Sequence, residues 1–196
     1  MEALMNQSDV LHLVIDVSGS MQEMGKLLLA RNLVSFIREY LELQINTATF
    51  SKIRLCTLNE TVQLIELNKN TEIPKFNAKG KAELSSLQDY IKTELEKSTK
   101  VQVILFSDGN FNNKQLKNFC TWSQQHASLL LYSVIIGADA NSNNLRQISN
   151  NQRTFSAEDI SLAVQMMAQS VCDVIEPPTS VLSFYFSEVM EEEDWG

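Results

Sequence analysis

Asp16-Val17-Ser18-Gly19-Ser20 places a carboxylate and two hydroxyls at alternate positions. In an extended segment alternate side chains share a face, so these three oxygens point the same way. A donor set made only of oxygen suits a hard cation, magnesium before zinc. The same residues also have a plainer use, because Asp and Ser at the head of a helix accept hydrogen bonds from its first amides. A second group, Ser107-Asp108-Gly109, follows an apolar run at 101–106, just as Asp16 follows Leu11-His12-Leu13-Val14-Ile15. Two strand ends of this kind in an α/β chain would meet at one rim of the sheet, where open α/β folds place their ligands.

Such a rim needs elements to hold it. Residues 10–15 and 101–106 read as buried strands, and 129–136 is a third continuous apolar run. Residues 53–58 and 62–67 flank Asn59-Glu60-Thr61 and read as a hairpin. Helical spacing marks 26–43, with Leu29, Leu33, Phe36, Ile37, Tyr40 and Leu41 on one stripe. It also marks 83–97, with Leu84, Leu87, Ile91 and Leu95 on one face. Helices are expected at 114–127, 141–150 and 157–174, and a short last strand at 153–155. Residues 68–79, with Pro74, form a loop. Strands alternating with helices imply a mainly parallel sheet covered on both faces. Pro177-Pro178 ends the last helix. Beyond it, 181–186 is apolar and β-prone, with Leu182, Phe184 and Phe186 on one face. Glu188 and the acidic run 191–194 then act as gatekeeping charges. The aromatic segment is expected to dock as a strand, on its own domain or on a partner.

The two strand-end motifs resemble the von Willebrand factor type A (vWA) domain and its metal-ion-dependent adhesion site (MIDAS), over roughly residues 8–175. Asp16, Ser18 and Ser20 match the family's Asp-x-Ser-x-Ser, and Asp108 matches the Asp of its third loop. The resemblance implies an α/β, Rossmann-like fold: a central, mostly parallel six-stranded sheet with one antiparallel edge strand and helices on both faces. Residues 1–175 would be the vWA domain and 176–196 a C-terminal extension. It implies Mg2+ or Mn2+ held by Asp16, Ser18, Ser20 and Asp108, and completed by a Glu or Asp of a partner protein. Met21, Lys81 and Asn110 would touch that partner. The second-loop Thr of the family is replaced, because the matching stretch reads Gly80-Lys81-Ala82-Glu83-Leu84. This substitution removes the direct Thr ligand, so that the metal is expected weak or lost in that form, while the form held by Asp16, Ser18, Ser20, Asp108 and water is untouched. The Lys81 ammonium could stand in for the cation. The single-domain layout resembles small intracellular bacterial members found beside protein kinases and phosphatases, including stress systems of the tellurium-resistance type. That likeness implies a kinase or phosphatase of the same system as partner.

Composition narrows the alternatives. The formal net charge of −8 argues against a general nucleic-acid binder. No apolar run is long enough for a membrane span. Residues 1–7 lack the basic-then-apolar order of a secretory leader. Cys56, Cys120 and Cys172 are odd in number and far apart, which reads as a reduced, cytoplasmic thiol inventory. An enzyme is the weaker reading. Asp16 to Ser20 is superficially like the haloacid-dehalogenase phosphatase motif, but Ser18 stands where that motif needs an acid. His12 lies mid-strand and His126 ends a helix, neither spaced with a nucleophile. A further alternative is a metal-independent scaffold that binds partners through its tail.

Overall fold

Leu11, Leu13 and Ile15 point to one side of their strand and Val14 to the other, and all four are fully buried. A strand apolar on both faces must lie inside a sheet that helices cover twice. The computed structural model describes residues 10–43, 50–67 and 72–172, and in it that strand is central. The elements run β1 (Val10–Asp16), α1 (Lys26–Leu43), β2 (Lys52–Leu58), β3 (Val62–Ile65), α2 (Leu84–Leu95), β4 (Val101–Ser107), α3 (Asn113–Ser123), β5 (Leu129–Ile135), α4 (Ser142–Ile148), β6 (Thr154–Phe155) and α5 (Ile160–Cys172). The sheet order is β3-β2-β1-β4-β5-β6. Every pairing is parallel except β2 with β3, so the hairpin supplies the antiparallel edge.

After β1 the chain goes to one side, to β2 and β3, and then crosses to β4 on the other side. The switch point therefore lies between the carboxyl ends of β1 and β4. Ile15 pairs with Phe106, which sets Asp16 beside Ser107 there. One core layer joins Leu13, Ile15, Ile104 and Phe106 to α1 and α5. The other joins Val14, Val103 and Leu105 to α2, α3 and α4.

Three details differ from the sequence expectations. The buried stripe of α1 is Ala30, Leu33, Val34 and Ile37, whereas Leu29 and Phe36 are exposed. Those two sit on the helix flank, where Phe36 stacks on Tyr40 at 5.9 Å. Helix α3 stops at Ser123, and the chain tightens there into turns in which the Gln125 amide donates to the Trp122 carbonyl and the His126 amide to the Ser123 carbonyl; the His126 ring Nδ1 also donates to the Trp122 carbonyl at 2.8 Å. The expected helix at 141–150 splits into α4 and a 3-10 turn at Asn150–Gln152, where Asn151 and Gln152 take positive φ. The strand expected at 181–186 and the domain end at 175 lie outside the described residues. Among the described residues, no helix is long and apolar enough to cross a membrane.

Candidate metal centre

The backbone after β1 turns sharply into a 3-10 turn, Gly19–Gln22, before α1 begins. The Asp16 carboxylate holds that turn. Its Oδ1 accepts from the Ser18 amide at 2.8 Å, and its Oδ2 accepts from the Ser107 hydroxyl at 2.6 Å. The Ser107 hydroxyl in turn accepts from the Gly109 amide at 3.0 Å. One carboxylate thus ties the β1 loop to the β4 loop. Asp16 is 1 % exposed. Burial pushes its pKa above the ordinary carboxylate value, against the bonds from Ser107 and Ser18.

Asp108 comes from the β4 end. Its Oδ1 accepts from the Asn110 amide at 3.1 Å. Gly109 makes the turn possible at φ +73, where a Cβ would lie 2.4 Å from the Asn141 carbonyl oxygen. The second loop reaches the rim through the Gly19 amide, which donates to the Gly80 carbonyl at 3.0 Å. Ala82, 5 % exposed, lies on this loop and lines the depression beside Ser18 and Ser20. Ser86 offers no replacement, since its hydroxyl donates to the Glu60 carbonyl at 2.7 Å.

Ser18 and Ser20 Oγ lie 3.3 Å apart. Two neighbouring ligands of an octahedral ion, each at about 2.0–2.1 Å, stand about 3 Å from one another. The hydroxyl pair therefore fits a small hard cation, with Asp16 and Asp108 set behind it. The two serines line a depression of about 300 Å³ walled by Lys81, Ala82, Asn110 and Phe111. Among the described residues, no group of three or more His, Cys, Asp or Glu is placed to hold a metal, so an ion at this rim depends on the hydroxyls. A larger cleft of about 790 Å³, around Cys120, Arg146 and Gln147, is lined by amides and has no carboxylate.

Two expectations change. Met21 is fully buried in the core beneath the 3-10 turn and cannot touch a partner. The turn points it inward, and Met24, 77 % exposed, is the outward methionine. The ammonium at the carboxylates is that of Lys26, whereas Lys81 is exposed on the wall of the depression. Lys26 Nζ donates to Asp108 Oδ2 at 3.0 Å, Asp139 Oδ2 at 2.8 Å and the Ser20 carbonyl at 3.1 Å. Desolvation works against this charge, but the bonds and charges of Asp139 and Asp108 outweigh it and hold the pKa above the usual lysine value. The bond from Lys26 lowers the Asp139 pKa. The sequence reading missed Lys26, Ser107 and Asp139. A signal for the first was present, since a lysine opening a helix opposes the helix dipole and needs acidic company.

This architecture is that of a vWA domain. A von Willebrand factor type A protein from Catenulispora acidiphila matches 83 % of the chain at TM-score 0.59 and 14 % identity. The manganese-loaded TRAP protein of Plasmodium vivax also matches 83 %, at TM-score 0.58 and 18 % identity. Proximal thread matrix protein 1 from the mussel byssus, solved with zinc in its MIDAS motif, matches 85 % at TM-score 0.53 and 16 % identity. The chain spans 42 % of the Catenulispora chain, 48 % of the mussel chain and 72 % of the Plasmodium chain. At these identities the likeness is one of fold. No protein-family model and no curated protein matches the sequence.

Proposed function

We propose that this chain is a non-enzymatic interaction module that holds Mg2+ or Mn2+ at the β1–β4 rim and binds an acidic side chain of a partner protein. One observation carries the reading: the Ser18 and Ser20 hydroxyls stand at ligand spacing on the wall of an open depression, backed by two carboxylates. The zinc-occupied MIDAS of the mussel protein and the manganese in the Plasmodium protein support an ion at the corresponding place. When bound, the ion supplies an under-neutralised positive charge to which a carboxylate can add.

The chain's own residues divide the remaining work. Asp16 and Ser107 fix the loop that presents the hydroxyls. Hydroxyl oxygens set geometry without cancelling charge. Lys81 and Asn110, on the wall of the depression, would touch the incoming partner. The resemblance to small bacterial members makes a kinase or phosphatase the first partner to test.

Electron paramagnetic resonance of Mn2+ tests the ion. With acetate present as a carboxylate probe, the signal of free Mn2+ should fall saturably on adding protein. Ser20→Ala should weaken binding at least tenfold, about 1.4 kcal/mol. No loss of free signal up to about 10 mM metal, weaker than the weakest extracellular calcium modules, would reject the site.

A further inference from the structure

Lys26 is the first residue of α1 and only 2 % exposed. A cation at a helix N-terminus meets the positive end of the dipole, and burying it costs more unless it is paired. All three ammonium protons have acceptors, one from each of three loops: the Ser20 carbonyl, Asp108 and Asp139. A separate feature shows that the fold is shaped around this side chain. Gly137 has φ +95, and a Cβ there would come within 2.6 Å of Lys26 Cε. The loop after β5 therefore leaves room for the lysine stem.

Resting on the ion-site reading above, we infer that Lys26 is a tethered cation that sets the affinity of the rim for a divalent ion, so that ion and acidic partner bind as a pair. Both oxygens of Asp108 are committed, Oδ1 to the Asn110 amide and Oδ2 to Lys26. Its charge is already shared with an ammonium before any ion arrives. The second loop adds only the methyl of Ala82 where a hydroxyl would help. The remaining direct donors, Ser18 and Ser20, are neutral. A divalent ion therefore meets two uncharged oxygens in front of the Asp16 carboxylate, whose oxygens are held by the Ser18 amide and the Ser107 hydroxyl, and beside an ammonium that offsets the charge of Asp108 and repels a second cation at close range. An added carboxylate from a partner restores the missing negative charge. Ion and acid then raise each other's affinity by the same factor. Asp139, whose side chain is 55 % exposed, draws Lys26 away from Asp108 and so moderates the effect.

The experiment titrates Mn2+ into the full chain in carboxylate-free buffer and again in saturating acetate, read by calorimetry and by the free-Mn2+ resonance. Wild type should bind at least tenfold more tightly with acetate. Lys26→Met should bind at least tenfold more tightly than wild type without acetate, and its gain from acetate should shrink. Asp139→Asn, which keeps an acceptor oxygen for the ammonium but removes the negative charge, should weaken binding at least threefold as Lys26 leans on Asp108. In wild type, Mn2+ and acetate together should raise the melting temperature by more than the sum of their separate effects. Saturable binding that ignores both acetate and the Lys26 and Asp139 substitutions would overturn the role of Lys26 and leave the ion site standing. No binding by wild type or Lys26→Met in either buffer overturns both.

Discussion

Asp16 and His12 are both buried polar residues on β1, and they show how one strand handles two kinds of charge. Asp16 reaches the rim, where hydrogen bonds surround it. His12 lies deeper, with its Nδ1 2.7 Å from the Tyr90 hydroxyl. Desolvation holds its pKa down to about 4, against the pull of Glu94 and with help from Arg54 and Lys97. The folded state keeps this ring neutral, while the unfolded chain protonates it near the ordinary value of 6.5. Its contribution is therefore fully present above about pH 6.5 and is lost as pH falls toward 4. The whole effect is on the order of 3 kcal/mol. Denaturant melts at pH 7, 6 and 5 should show wild type losing stability with a slope approaching 1.4 kcal/mol per pH step below 6.5. His12→Asn should flatten that slope, and an equal slope in both proteins would show that the ring titrates normally.

Among the elements, α1 shows best how burial sorts residues that look alike in the sequence. Ile37 faces the sheet and is fully buried, while its neighbour Phe36 is 44 % exposed. Ile37→Ala should cost about 2–4 kcal/mol in unfolding free energy, through lost contacts and a residual cavity. Phe36→Ser should cost less than about 1 kcal/mol, since it gives up only a flank contact with Tyr40. Reversed costs would mean that α1 is rotated about its axis relative to the sheet. The same helix carries Lys26 at its first position, so its rotation also fixes where the ammonium reaches.

For the whole molecule, the switch between β1 and β4 gathers loops from four strand ends. Val17 N–H to the Leu58 carbonyl, Gly19 N–H to the Gly80 carbonyl and Asn141 N–H to the Asp108 carbonyl bolt those loops together. The strands beneath are paired on both sides, whereas β3 and β6 are edges. Native-state hydrogen exchange should find the β1 and β4 amides opening only with global unfolding, and those of β3 and β6 opening earlier. Equal protection across all six strands would contradict this order.

The alternation of apolar strands and helical stripes announced an α/β sheet, and the placing of Asp16, Ser18, Ser20 and Asp108 at one rim was legible because they follow apolar strands, while their hold on an ion belongs to the proposal. The helix at 26–43 was legible in its bounds, since its 3.6-residue period is a local property, but that period did not separate the buried Val34 and Ile37 from the exposed Leu29 and Phe36. The docking of 181–186 was also read from local pattern, but it lies outside the described residues. Only the tertiary structure decided which way Met21 faces, because a 3-10 turn has too few residues to show a period. It alone assigned the ammonium at the carboxylates to Lys26 instead of Lys81. The reason is physical: Lys26 meets Asp108 and Asp139 across long stretches of chain, through the strand order and the space left by Gly137. Sequence spacing records which face a residue takes on its own element, and the partners across the rim exist only once the sheet brings its strand ends together.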